Sequence, residues 1–401
     1  MIPQVQRNWL AVCLFNFLIA ALMGVGLRFS RVGGLHLEYS HLLHAHSHTA
    51  LLGWAYMMVF TLSIATFVPS EKRPRYRILF WLTQISVVGM MLTFPFQGYV
   101  PASITFSTLH ILCSYIFAIR LFRDISTNSV AETLMRIALM FMIFSTLGAW
   151  SLGPIGTLAG KDSPFYKSAI QFFLHFQFNG WFTMSAIALI FGYFVPARID
   201  LAKLRRAGTI MVLSVVLMLG FPLSWYFSND LFRNAGWVGA VLQCLAILML
   251  WQMFDRSSSG QRQAFPISLR LFLWLAAMSF GLKALLQLLP AFPVIARASH
   301  QYRDLAVGFI HLAMLGAVTG VLLFLVSGRC RIWAKGSAVF CASYLATEIL
   351  IFARGLREWL FGTAFFSEEL LLLASACGLA TAILLLLASV LRGYDFRHTF
   401  R

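Results

Sequence analysis

The 401-residue chain is 60% hydrophobic and only 11% charged, with a mean hydropathy of +0.79. Soluble domains carry about twice that charge fraction. No polar stretch is long enough to fold alone, so the chain reads as a single transmembrane domain, 1–401. A net charge of +17 would point to nucleic acid in a soluble protein. Here the basic residues sit in short loops between apolar spans and form no phosphate-tracking run, so the expected partner is the lipid bilayer and not nucleic acid.

A membrane-crossing helix needs about 20 mostly apolar residues. Such runs fall at 9–28, 44–68, 78–98, 101–122, 134–158, 167–195, 207–228, 232–254, 268–290, 304–327, 334–354 and 366–392. The expected fold class is therefore all-α, a polytopic membrane protein of about 12 transmembrane helices. Pro69 and Pro74, Gly98 to Pro101, and Ser257 to Gly260 punctuate the joins. The first apolar run lacks a small-residue cleavage site and reads as a retained helix. Roughly two thirds of the 31 basic residues fall on one side of this arrangement, among them Lys72, Arg73, Arg75, Arg77, Arg120, Arg123, Arg198, Lys203, Arg205, Arg206, Arg256, Arg262, Arg329, Arg331 and Lys335. Both termini are thus expected in the cytoplasm, with even-numbered spans running inward.

This orientation gives the ten histidines meaning. His48, His110, His175 and His311 lie on spans 2, 4, 6 and 10, each roughly 7–14 Å below the outer surface at 1.5 Å per residue. Three of them share a pattern, H-x4-G. It runs from His48 to Gly53 and Trp54, from His175 to Gly180 and Trp181, and from His311 to Gly316 and Ala317. The spacing of four spans suggests a pseudo-threefold repeat of four-helix units centred on spans 2, 6 and 10. The glycine bares one face, which a flat macrocycle or a neighbouring helix could approach.

A neutral imidazole is a good ligand for heme iron and for copper. The alternative is a hydrogen bond from each ring to a backbone carbonyl or a serine across a helix contact. The six cysteines are scattered without a C-x-x-C, so they form no zinc ribbon, redox pair or c-type heme attachment site.

Twelve spans, a four-helix repeat and histidines on spans 2, 6 and 10 resemble the catalytic subunit I of heme–copper oxidases, a superfamily that includes membrane nitric oxide reductases. The strings His44-Ala45-His46-Ser47-His48 with Gly53-Trp54, and His311 to Ala317, look more like the smaller NnrS-type heme proteins. The resemblance implies that His48 (with His46 as rival) and His311 are axial ligands of a heme b, toward the outer side of a bacterial-type inner membrane. His175 stands where the family holds copper or non-heme iron. His110 would join it at a second heme or metal site, with His44 or His46 as further donors. The chain departs from the family at Phe309, where the histidine for the catalytic heme is replaced. It also lacks the family's histidines on span 7. These departures argue against the usual binuclear oxygen-reducing centre.

Other candidates are charges. Arg354 and Arg357, read as lying in the outer loop between spans 11 and 12, match in location the arginines that pair with heme propionates. Interface snorkelling is the other account. Arg297 and Arg303, beside His300, are weaker candidates for the same role. Lys283 and Glu348 lie inside spans, where each charge costs about 2.5–3.5 kcal/mol on insertion scales. They are expected to pair with each other or a propionate, or to serve a proton path. His41, His44 and His48 share a face, which would suit copper loading or a proton relay, while His36 and His41 read as solvated. Trp54, Trp181, Tyr99 and Tyr302 read as interface anchors. The expected function is binding or reduction of nitric oxide or oxygen, or electron transfer, with a quinol or a cytochrome as donor. A heme sensor or assembly protein and a non-redox transporter are the competing readings.

Overall fold

The computed structural model describes residues 4–33, 38–126, 128–193, 200–227, 229–258, 265–327, 330–363 and 365–392. His36, Arg198, Arg262, Arg329 and His398 lie outside them. The described residues are helical, with no strand among them. Eleven of the helices are long and apolar enough to cross a membrane, and the chain is a polytopic helical membrane protein. We number them α1 (Gln4–Val32), α2 (Tyr39–Phe67), α3 (Arg73–Gln97), α4 (Pro101–Asp124), α5 (Val130–Leu158), α7 (Leu201–Ser224), α8 (Asp230–Ser258), α9 (Ile267–Ala291), α10 (Arg303–Leu325), α11 (Arg331–Phe361) and α12 (Phe366–Leu391). The remaining long helix, α6 (164–193), is continuous. It carries His175, Gln177 and Asn179 among its apolar residues. The expected span at 167–195 runs into residues outside the described ones.

Local chemistry sets the helix ends. Proline stands at the first turn of α4 and α6, where its missing N–H costs no hydrogen bond. Ser129 caps α5 by accepting from Glu132 N, while the Glu132 carboxylate accepts from Ser129 N at 2.8 Å, a reciprocal capping box. α3 stops at Gly98 (φ 63°), and α11 at Gly362 (φ 66°), a backbone region that side chains other than glycine's rarely enter.

By their contacts the helices fall into two compact units. In Met1–Ile125, Pro266–Leu275 and Thr319–Arg401, α1 packs on α2 and α12, α2 on α3, α3 on α4, and α11 on α12. In Ser126–Phe265 and Ala276–Val318, α5 packs on α6 and α7 on α8.

Polarity is arranged as a bilayer requires. On α3, Ile78, Trp81, Leu82, Ile85, Leu92 and Phe96 are exposed, whereas Thr83, Gln84 and Ser86 are buried. The apolar stripe faces the hydrocarbon, and the polar groups are satisfied inside the bundle.

Three helices contain a widened π-helical stretch, and each begins directly after a histidine of the H-x4-G pattern. The stretches are Thr49–Tyr56 after His48, Phe176–Phe182 after His175, and Leu312–Val318 after His311. π-turns are rare and occur mostly at functional sites. The glycines inside two of them seat a neighbouring helix. A Cβ on Gly53 would lie 2.9 Å from Val87 Cγ1, and one on Gly180 would lie 2.7 Å from Phe141 Cβ.

Candidate functional site

In the first unit, the histidines of α2 point two ways. His46 turns toward α1, where Nδ1–H donates to Ala20 O at 2.8 Å and the ring packs against Gly24. His41, His44 and His48 turn toward the end of α3. His48 stacks on Phe94 at 4.4 Å, and both His44 and His48 meet Tyr99 edge-on. The ring of His41 lies over Gly98, so closely that a Cβ there would come within 2.5 Å of it. Tyr99 therefore serves as a wall of the histidine cluster, beyond the interface anchoring its position suggests.

His48 Nδ1 bonds to His44 O at 2.9 Å. A carbonyl only accepts, so Nδ1 carries the proton and Nε2 keeps its lone pair. No protein group takes up that lone pair among the described residues, and His46 has the same arrangement. An imidazole tied through Nδ1–H to a backbone carbonyl is the tautomer that ligates iron through Nε2. These residues fit a heme ligand.

His110, on α4, is 3% exposed, packs edge-on against Tyr56 at 4.6 Å, and has no hydrogen-bond partner at Nε2 among the described residues. The π stretch of α2 is clamped on both sides. Asn16 Nδ2 donates to Gly53 O at 2.9 Å and to Gln84 Oε1 at 2.8 Å, and Gln84 returns a bond to Asn16 Oδ1 at 3.0 Å. Trp54 Nε1 donates to Thr319 Oγ1 at 2.9 Å. With Trp54 at 2% and Trp181 at 0% exposure, both tryptophans are core residues and not interface anchors. The sequence reading missed Asn16, Gln84 and Thr319. Polar residues inside apolar spans were the signal that could have found them.

In the second unit, His175 has both nitrogens bound by protein. Nε2–H donates to Val215 O at 2.7 Å, and Asn179 Nδ2 donates to Nδ1 at 3.3 Å. As it stands this ring offers no lone pair to a metal. Asn179 continues the chain of bonds, because its Oδ1 accepts from Lys283 Nζ at 2.8 Å. Lys283 is 1% exposed and gives its two other bonds to Gln243 Oε1 and Gln287 Oε1, both at 3.1 Å. Lys283 was expected to meet Glu348 or a propionate. Three neutral amide oxygens hold it instead, one for each ammonium hydrogen. Glu348 is buried in α11. His311 ends the α-helical first part of α10 and is half-buried.

Arg354 and Arg357 stand on α11, which continues to Phe361, and not in a loop. Arg354 pairs with Glu369, and Arg357 Nη1 pairs with Glu368 Oε1 at 2.8 Å. Arg31 and Arg28 also reach Glu369, at 3.0 and 3.7 Å. The carboxylates that begin α12 thus gather arginines from α1 and α11. Both arginines read as propionate partners have protein carboxylates beside them.

Beyond the spans, His300 contacts Trp225 and Tyr226 at 5.3 and 5.4 Å between ring centres. Partial burial, with Lys167 nearby, holds its imidazole below the ordinary value. Among the described residues, no three His, Cys, Asp or Glu side chains are grouped to hold one metal ion.

No protein-family model matches the chain, and no curated protein matches it.

Proposed function

We propose that the chain is a heme b-binding membrane protein related to heme–copper oxidase subunit I, and that His48 supplies an axial ligand. The observation that carries this reading is the hydrogen bond from His48 Nδ1 to His44 O, which leaves Nε2 as the donor atom. Heme brings four equatorial nitrogens of its own, so one or two imidazoles complete its coordination, whereas a bare copper or non-heme iron needs more protein donors. The surroundings of His48 suit the first need. His46 is the rival to His48 on the α1 side.

When bound, the heme supplies redox chemistry or binding of a small gas, nitric oxide or oxygen. The chain's own residues set ligation, polarity and access. His44 O orients the His48 ring, and Phe94 and Tyr99 limit its rotation and wall it off. Electrons would come from a quinol or a cytochrome.

The proposal includes a bacterial-type inner membrane, cytoplasmic termini, a heme toward the outer side and a threefold repeat. The π stretches that follow His48, His175 and His311 in turn support that repeat.

The test is a reduced-minus-oxidised optical spectrum of purified protein, with pyridine hemochrome and metal analysis. Low-spin b-type bands that disappear in His48→Ala are the expected result. Bands that survive in His48→Ala would overturn the ligand. A colourless, iron-free protein from heme-replete cells would overturn the heme and favour a non-redox transporter, for which the buried Lys283 network is the supporting feature. Colour without nitric oxide or oxygen turnover would identify a sensor or assembly role.

A further inference from the structure

The hydrogen bonds around Lys283 have a symmetry that a purely structural lysine does not need. With Lys283 as ammonium, its three hydrogens go to Asn179, Gln243 and Gln287, and Asn179 Nδ2–H goes to neutral His175. Consider the proton moved to His175 Nδ1 and the Asn179 side-chain amide turned by about half a rotation. The imidazolium Nδ1–H then donates to Asn179 Oδ1. Asn179 Nδ2–H donates to the lone pair of the Lys283 amine, whose two remaining hydrogens stay on Gln243 and Gln287. His175 Nε2–H donates to Val215 O in both states. One proton moves, none is lost, and every donor and acceptor of the pair is satisfied in either arrangement.

We propose that Lys283 and His175 form a proton-sharing pair inside the membrane, bridged and switched by the Asn179 amide. Asn179 bonds both of them, and an amide is the side chain that presents a donor at one end and an acceptor at the other. The other titratable group that acts on Lys283 is Cys244 on α8, whose Sγ donates to Ala284 O at 3.4 Å. No carboxylate lies within ion-pair distance of Lys283 among the described residues, so no fixed counter-charge pins the proton on the amine.

The pair also has a polar approach. Ser168, Gln171, His175 and Asn179 follow one another along one face of α6, and Gln171 faces the Tyr226 hydroxyl. Among the described residues, Ser168 Oγ and Trp225 Nε1 are buried without hydrogen-bond partners, and buried polar atoms of this kind call for a mobile partner such as water. Ser168 follows Lys167 at the Pro164 end of α6, and Trp225 packs on His300 at 5.3 Å. This proposal stands whether or not the chain binds heme.

The experiment is magic-angle-spinning nitrogen NMR on the full chain in lipid bilayers, labelled at lysine and histidine and titrated from about pH 5 to about pH 10. The chain has six lysines, so Lys283→Gln assigns the Nζ signal, and His175→Phe assigns the ring. The expected result is one shared midpoint, at which Lys283 Nζ and His175 Nδ1 change together. In Asn179→Leu the shared midpoint should split into two independent ones. Separate midpoints in the unaltered chain would overturn the pair, as would a His175 Nδ1 that stays unprotonated while Nζ changes. The unaltered chain alone decides the matter if Asn179→Leu does not fold. Ser168→Val should slow deuterium exchange at Lys283 Nζ severalfold, and unchanged exchange would overturn the route.

Discussion

At the scale of single residues, satisfaction of hydrogen bonds decides what each buried histidine can do. His46 and His48 use one nitrogen on a backbone carbonyl, and His175 uses both of its nitrogens on protein. Replacing His48 should therefore remove a cofactor signal, whereas replacing His175 should act through the Lys283 network. Glu369 has the clearest stability role. It is 8% exposed and is shared by Arg28, Arg31 and Arg354, so Glu369→Gln removes a buried charge on which three guanidinium groups converge. We expect a loss of about 3 kcal/mol, read as a lower thermal midpoint in detergent. Glu368→Gln should cost about 1 kcal/mol or less, because its partner Arg357 is one-third exposed. The sequence reading put Arg354 and Arg357 in a loop, whereas they stand on α11. It could not show that Glu368 and Glu369, beyond a turn, would reach back to them.

At the scale of helices, the glycines of the H-x4-G pattern act in packing. Gly180→Ala would drive a methyl group into Phe141, and Gly53→Ala would drive one into Val87 and Asn16. Each should cost about 1–3 kcal/mol by overpacking, and thermal unfolding of the two variants measures it. Where the spacing left open a macrocycle or a neighbouring helix, the neighbouring helix occupies the bared face in α2 and α6. The pattern was legible because it is local, but the π-helical turns that follow each histidine were not. A π-turn shifts the hydrogen-bond register by one residue, and periodicity read on a 3.6-residue wheel does not register that shift. Between α9 and α10, His300 brings a pH dependence. Its folded imidazole titrates below the unfolded one, so the unfolded chain takes up a proton first as the pH falls through about 6.5. Stability should then decline toward lower pH. The expected outcome is a shallower decline of thermal midpoint below about pH 6.5 in His300→Phe.

At the scale of the whole molecule, hydropathy and the placement of Lys and Arg fix how many helices the chain forms and roughly where they end. Both are properties of neighbouring residues and survive without any knowledge of packing. Eleven spans follow directly. The sixth is a continuous helix whose His175, Gln177 and Asn179 bond to protein partners. What the sequence by itself determined is therefore the helical membrane class, the order of the spans and the histidine-plus-glycine pattern. Only the tertiary structure decided which nitrogens remain available, because that depends on partners far away in the chain. Lys283 meets Asn179 across 104 residues, His175 meets Val215 across 40, and Trp54 meets Thr319 across 265. In a bilayer, where water cannot satisfy a buried polar group, those distant partners determine whether a histidine is a ligand, a proton carrier or a strut.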